Sequence, residues 1–155
     1  MLKKIDKRLI QELLEDARKS PRKRIMYNLH KDTDILQRMI NVALKDSYYV
    51  PHKHIAEDKC ELFAILKGKV AILEFDDKGN ITDKFILDSE TDNKVVEIRP
   101  NTWHTLVILS DVAVLFEIIL GRYDPKSHKT FAPFAPTENT DGSSRYLKKL
   151  RSQLE

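Results

Sequence analysis

Two histidines separated by one residue, His52 and His54, stand in a stretch that otherwise reads as extended chain, with Tyr48, Tyr49 and Val50 before them and Leu62 to Leu66 after. Alternate side chains of an extended segment share a face, so both imidazoles point the same way. Such a pair offers two nitrogen ligands to a divalent metal. Glu61 opens the next apolar run and shares a face there with Phe63 and Ile65. Fifty residues after His54, the run Arg99-Pro100-Asn101-Thr102-Trp103-His104 supplies a third histidine. Three nitrogens and a carboxylate suit zinc, iron, nickel or manganese and do not suit calcium. The expectation is therefore one divalent transition metal on His52, His54, Glu61 and His104. Cys60, next to Glu61, points to the opposite face and is excluded as a ligand or nucleophile. His30 and His128 are read as ordinary satisfied histidines.

The elements that must carry these groups follow from periodicity. Ile5, Leu9, Leu13 and Ala17, widened by Ile10 and Leu14, predict a helix over residues 3 to 18, stopped by Ser20-Pro21. The basic run Arg18 to Arg24 reads as a solvated connector, with phosphate or RNA binding as its alternative. From Ile25 the period becomes two. Strands are expected at 25–29, 36–44, 47–54, 61–66, 70–75, 81–87, 95–98, 105–109 and 112–120, with a tight turn at Asp76-Asp77-Lys78-Gly79-Asn80. Many short strands without intervening helices argue for an antiparallel sandwich or barrel. Most of these strands are apolar on both faces, so the outer face needs cover from the amino-terminal helix or from a second subunit, and a homodimer is expected. The proline-rich segment after Gly121 reads as a strap that hides Phe131 and Phe134 from water, and Ser143 to Leu154 as a short helix. The expected layout is a helix in residues 1–20, a barrel and strap in 21–137 and a partly helical tail in 138–155, forming one domain.

Composition narrows the class. With 155 residues, 41% hydrophobic and 33% charged, the chain can bury a core without disulfides. One cysteine excludes an intrachain disulfide framework and fits a reducing compartment. No apolar run is long enough to serve as a spanning helix or a signal peptide, so no membrane partner is expected and the expected location is the cytoplasm. A formal charge of +3 is too small to imply nucleic acid without a concentrated patch.

Polar residues on the expected strands suggest where a small ligand would sit. Arg24, Asn28 and His30 fall on one face, and Gln37 and Asn41 on one face of the next strand. Buried, such groups line a polar pocket; otherwise they mark an exposed sheet face. Arg24 and Arg38 have the chemistry to receive a phosphate or carboxylate, and Tyr48, Tyr123 and Trp103 that to stack on a sugar ring. The substrate-binding candidates are Arg24, Asn28, His30, Gln37, Arg38 and Tyr48.

The run His52-x-His54 followed by Glu61, with six residues between it and Gly68, resembles the first motif of the cupin family. The stretch ending in Trp103-His104 is similar to the second, Pro-x-Gly-x-x-His, with Arg99 in place of the proline and Asn101 in place of the glycine. Asparagine tolerates the left-handed conformation that such a turn requires. The gap from His54 to Glu61 is longer than is usual in the family and implies an extended loop at Ile55 to Lys59. Glu57 is the competing carboxylate in that loop, but only Glu61 keeps the motif's distance to Gly68. Segments from Arg24-to-His30 through Tyr123-Asp124-Pro125 and Phe131-Ala132-Pro133 resemble the WbuC-type cupin-fold metalloproteins. The resemblance implies an all-β cupin double-stranded β-helix, a jelly-roll barrel with an N-terminal helix and a short C-terminal helix, holding a metal inside. It also implies a setting in bacterial surface-polysaccharide (O-antigen) synthesis, without specifying a reaction. The expected ligand is a small carbohydrate, sugar nucleotide or other polar metabolite, acted on by a metal-dependent isomerase, epimerase or oxygenase. The alternatives are a non-catalytic, metal-stapled sugar-binding or regulatory module and a metal-free sugar-nucleotide epimerase.

Overall fold

The computed structural model describes residues 2–55, 59–125 and 128–154. Helix α1 spans Lys7–Lys19. Asp6 caps it by accepting the Leu9 amide at 3.0 Å, and the last turn closes at Ser20, ahead of Pro21. Among the described residues ten strands follow: β1 Arg24–Asn28, β2 Leu36–Leu44, β3 His52–Lys53, β4 Glu61–Lys67, β5 Lys69–Phe75, β6 Ile81–Asp88, β7 Val95–Ile98, β8 Trp103–Ile108, β9 Val112–Leu120 and β10 Thr130–Phe131. A second helix, α2, covers Asp141–Ser152. All pairings are antiparallel, in two five-stranded sheets ordered β1-β2-β9-β4-β7 and β10-β3-β8-β5-β6.

The largest departure from the strand pattern lies at 47–54. Only His52–Lys53 is strand there, and Tyr48 makes a single bridge to Val107. Pro51 has no N–H to give a ladder, so the segment pairs only after it. The strap, which the sequence pattern left without pairing, adds β10 on β3.

The inner faces of the two sheets meet in one core that includes Phe63, Ile65, Ile72, Leu106, Ile108 and Leu115. The outer face of the first sheet is covered by α1, whose Leu13, Leu14 and Ala17 pack on Ile40, Val42 and Val114. The outer face of the second is covered by α2 and the strap, with Leu147, Leu150 and Ala132 against Ala71, Leu73 and Val107. The chain's own helices thus meet the need for cover that motivated a second subunit. Phe134 packs against Phe75 and Trp103, with ring centroids 5.6 and 6.0 Å away. Phe131 does not hide as expected. It is 61% exposed, because the strand alternation that turns Ala132 onto the sheet turns Phe131 toward the barrel mouth.

Asn101 shows why the second motif tolerates its missing glycine. It sits at φ +63°, and its N–H donates to the His54 carbonyl at 2.7 Å, tying the third histidine's turn to the first pair. Asn101→Gly is expected to stay within about 1 kcal/mol of the wild type, whereas Asn101→Val costs roughly 1–3 kcal/mol. Thermal melts of the two variants check this, and equal losses would contradict it.

Candidate metal centre

His52 lies directly opposite His104 across the β3–β8 pair, on the inner face of the second sheet. Their rings stand 4.4 Å apart between centroids, and the His54 ring lies 5.5 Å from His52 and 6.0 Å from His104. Glu61, on the inner face of β4, closes the group from the other sheet. One ligand atom from each of the four residues lies within 4.8 Å of all the others. None of the four is more than 3% exposed.

The hydrogen bonds around this group fix its chemistry. A neutral imidazole carries one N–H, and a carbonyl can only accept. His52 Nδ1 faces the Val50 carbonyl at 2.9 Å, His104 Nδ1 that of Thr102 at 2.9 Å, and His54 Nδ1 that of His128 at 2.5 Å. The protons therefore belong on Nδ1, and the three Nε2 lone pairs turn inward. They meet Glu61 Oε2, which is 2.8 Å from His104 Nε2 and 3.4 Å from His54 Nε2. These four atoms are buried and have no hydrogen-bond partner. With every proton assigned outward they are acceptors facing acceptors, an arrangement that costs free energy unless a cation sits among them. The donor set and its outer carbonyl partners fit a divalent transition metal.

The electrostatics agree in direction. Burial, then the charges of Lys129 and His104, hold His52 well below the ordinary imidazole value. Burial alone would push the Glu61 carboxyl up, but without a metal the positive charge that a protonated His104 carries, with contacts from His104 and His54, outweighs it and holds the group well below the usual carboxylate range, the place a bound cation would otherwise take. Burial, with Lys129, His54 and Lys59 nearby, lowers His128 to about 3. As pH falls through the ordinary value of 6.5, the unfolded chain takes up protons at these histidines before the folded one does. Their contribution to stability is complete above about 6.5 and declines below it, and that of Glu61 follows at lower pH. The raised Glu117 carboxyl works the other way over this range, one proton against the two of His52 and His128, so the metal-free protein is expected to melt at a lower temperature at pH 5 than at pH 7. Calorimetry across that range checks it, and a Tm that rises on acidification would contradict it.

Two groups beside the cluster escaped the sequence reading. Glu117, on β9, is 7% exposed and accepts a hydrogen bond from Asn41 Nδ2. Burial, then the adjacent charge of Glu61, pushes its carboxyl well above the usual range, so the two neighbouring carboxyls are driven in opposite directions. Its signal was a lone acidic residue inside the otherwise apolar run Val112–Leu120. His128 meets the rings of His54 and Tyr123 edge to face, with centroids at 5.0 and 4.9 Å, and no feature of its sequence neighbourhood marked it.

The expected substrate-binding residues divide. Gln37 is buried on the inner face with Met39 and Asn41, and its Nε2 donates to the Gly121 carbonyl at 2.8 Å. Arg24 instead pairs with Glu138, donates to the Tyr48 carbonyl and lies over the Tyr49 ring. Arg22 also pairs with Glu138, which ties down part of the basic run. Asn28 is exposed on the edge strand, His30 Nδ1 accepts the Arg38 amide, and Arg38 pairs with Asp34. The Tyr48 hydroxyl donates to the Pro136 carbonyl, and its ring, like Trp103, packs on the outer face of the second sheet. Gln37 lies in register with Glu61 through Ile119, and the structure does not gather the other five around the histidines. Glu57 lies outside the described residues.

Two antiparallel sheets closed around a buried histidine and glutamate cluster, flanked by two helices, define a cupin-fold protein of jelly-roll type. The chain belongs to the family described as Domain of unknown function (DUF6016), whose model matches residues 5–87. No curated protein matches the sequence. Among solved structures, the capsular polysaccharide assembling protein CapF from Staphylococcus aureus is similar over 68% of this chain and 29% of its own, at 21% identity and a TM-score of 0.58. An oxalate oxidase in complex with the substrate analogue glycolate is similar over 86% of this chain and 73% of its own, at 10% identity and 0.57. A dTDP-4-dehydrorhamnose 3,5-epimerase from Elizabethkingia anophelis is similar over 70% and 62%, at 18% identity and 0.54. The chain spans less than a third of the length of CapF. At these identities the likeness is one of fold.

Proposed function

We propose that this chain binds one divalent transition metal through His52, His54, Glu61 and His104 and acts on a small polar metabolite, a carbohydrate or sugar nucleotide, in bacterial surface-polysaccharide metabolism. The observation that carries the reading is the convergence of four buried ligand atoms, three of them on imidazoles whose far nitrogen faces a backbone carbonyl. A metal held there would supply Lewis acidity to polarise a carbonyl or hydroxyl of a bound ligand. Glu117 is the chain's own group placed to hold or release a proton beside it, and Asn41 orients that carboxyl. CapF, a capsular polysaccharide assembling protein, and a nucleotide-sugar epimerase among the structural relatives support the metabolic setting, as does the resemblance to WbuC-type cupins. Elemental analysis of the purified protein is expected to find about one equivalent of a transition metal, lost to a chelator and regained on dialysis. A protein that neither carries nor takes up metal would end this reading.

The 2.8 Å approach of His104 Nε2 to Glu61 favours a second reading, a metal-free acid–base site in which that pair shares a proton. It leaves the Nε2 atoms of His52 and His54 buried without partners, which is why it ranks behind the first. Turnover of a sugar nucleotide that survives chelation would reverse the order.

A further inference from the structure

We infer that the ligand of this centre is a small anion bearing a carboxylate or phosphate, and that Lys129 is the residue that pairs with its charge. The inference rests on the metal-centre reading above. Thr130 is paired with Lys53 and Phe131 with His52, so the strap runs antiparallel to β3, and continuing the register one residue sets Lys129 opposite His54. Alternate residues share a face, so Lys129 lies on the face of Phe131. The Phe131 ring stands 6.3 Å from that of His52, which makes this the face turned toward the metal cluster. The backbone just before it is fixed by the hydrogen bond from His54 to the His128 carbonyl.

Lys129 is half-buried, and among the described residues no carboxylate pairs with it at ion-pair distance. Its charge acts on His52, Glu61, Glu117 and His128, which come from β3, β4, β9 and the strap, in keeping with the strap register that turns Lys129 toward the cluster. Lys59 adds a second cation at the rim. It is 6% exposed, runs across Gly121 and donates to the Arg122 carbonyl at 3.3 Å. With a divalent ion in place, the two lysines leave an excess of positive charge even if Glu61 and Glu117 are both ionised. Beside side chains so largely closed to water that excess is offset best by an anionic ligand, and a neutral sugar does not offset it. A sugar carrying a carboxylate or phosphate does.

The test uses the full chain loaded with cobalt(II) and titrated with oxalate, with inorganic phosphate and with imidazole as a neutral metal ligand. Calorimetry and the visible spectrum of the bound cobalt follow each titration. At least one of the two anions is expected to bind the wild type, and the tighter of them identifies the class of anionic group. Lys129→Ala should weaken that anion about tenfold or more, Lys129→Arg should restore most of the affinity, and imidazole should bind all three proteins alike. Equal anion affinity for the wild type and Lys129→Ala, or equal weakening of anion and imidazole, would overturn the assignment of Lys129. A chain that takes up no cobalt would sink the metal-centre reading, and the anion assignment with it.

Discussion

Replacing His104 or His52 with alanine is expected to abolish stoichiometric metal binding, while Cys60→Ala keeps it. Each imidazole supplies one of four donors, and each is held in place by a carbonyl on its far nitrogen. Loss of outer-shell partners alone typically costs 10–100-fold in metal affinity, so losing a donor should cost on the order of 100-fold or more. Cys60 precedes β4, and its neighbour Glu61 occupies the inner face. The variants also separate ligand loss from unfolding. Removing His104 also takes from buried Glu61 the contact that holds its carboxyl ionised without metal, so the Tm of each metal-free variant is measured beside its metal affinity. Competition titrations with a chromophoric chelator measure the affinities. Unchanged metal content in both histidine variants would remove these residues from the ligand set.

Gly68→Ala is expected to destabilise the fold far more than a single added methyl group usually does. Gly68 stands at φ +84°, where a side chain is strained. An added Cβ would also come 2.3 Å from the Val112 carbonyl oxygen and 2.4 Å from Ser110 Oγ. The first is backbone at the start of β9 and cannot give way cheaply. The combined cost is about 3 kcal/mol or more, or roughly 6–12 °C in Tm for a chain of this size. Gly121→Ala makes the comparison informative. It has a similar φ of +92°, but its Cβ would meet only the flexible Lys59 side chain, at 3.1 Å. Its loss should be smaller, and a Gly68→Ala melt no lower than that of Gly121→Ala would contradict the packing account. The same contact explains why this glycine accompanies the ligand motif. It lets β4 turn into β5 against the start of β9, and β4 carries Glu61.

The strands were legible in the sequence because apolar alternation is a direct record of which face is buried. β2, β7 and β9 fall at the residues expected for them. The converging His52 and His54 were legible because histidine at two-residue spacing has few other reasons to point into a barrel. The ligand-binding surface was less so. Arg24 and Asn28 share the inward side with Asn41 and Met39 through the β1–β2 register, yet β1 is an edge strand and its inward side runs past the core, leaving Met26 54% exposed. Facing inward and facing the site are different properties, and only the closure of two sheets separates them. Glu117 was hidden for the opposite reason. Its strand is so apolar that one acidic residue did not break the pattern, although a carboxylate in that setting has to be paired. Lys129 depended on the register of a two-residue strand, which proline content alone gave no means to foresee.

The most direct measurement is anomalous diffraction from crystals of the metal-loaded protein, collected on both sides of the metal's absorption edge. One strong difference peak is expected inside the barrel, within bonding distance of Nε2 of His52, His54 and His104 and of a Glu61 carboxylate oxygen. A peak held by other residues, or no peak in crystals soaked with excess metal, would contradict the account.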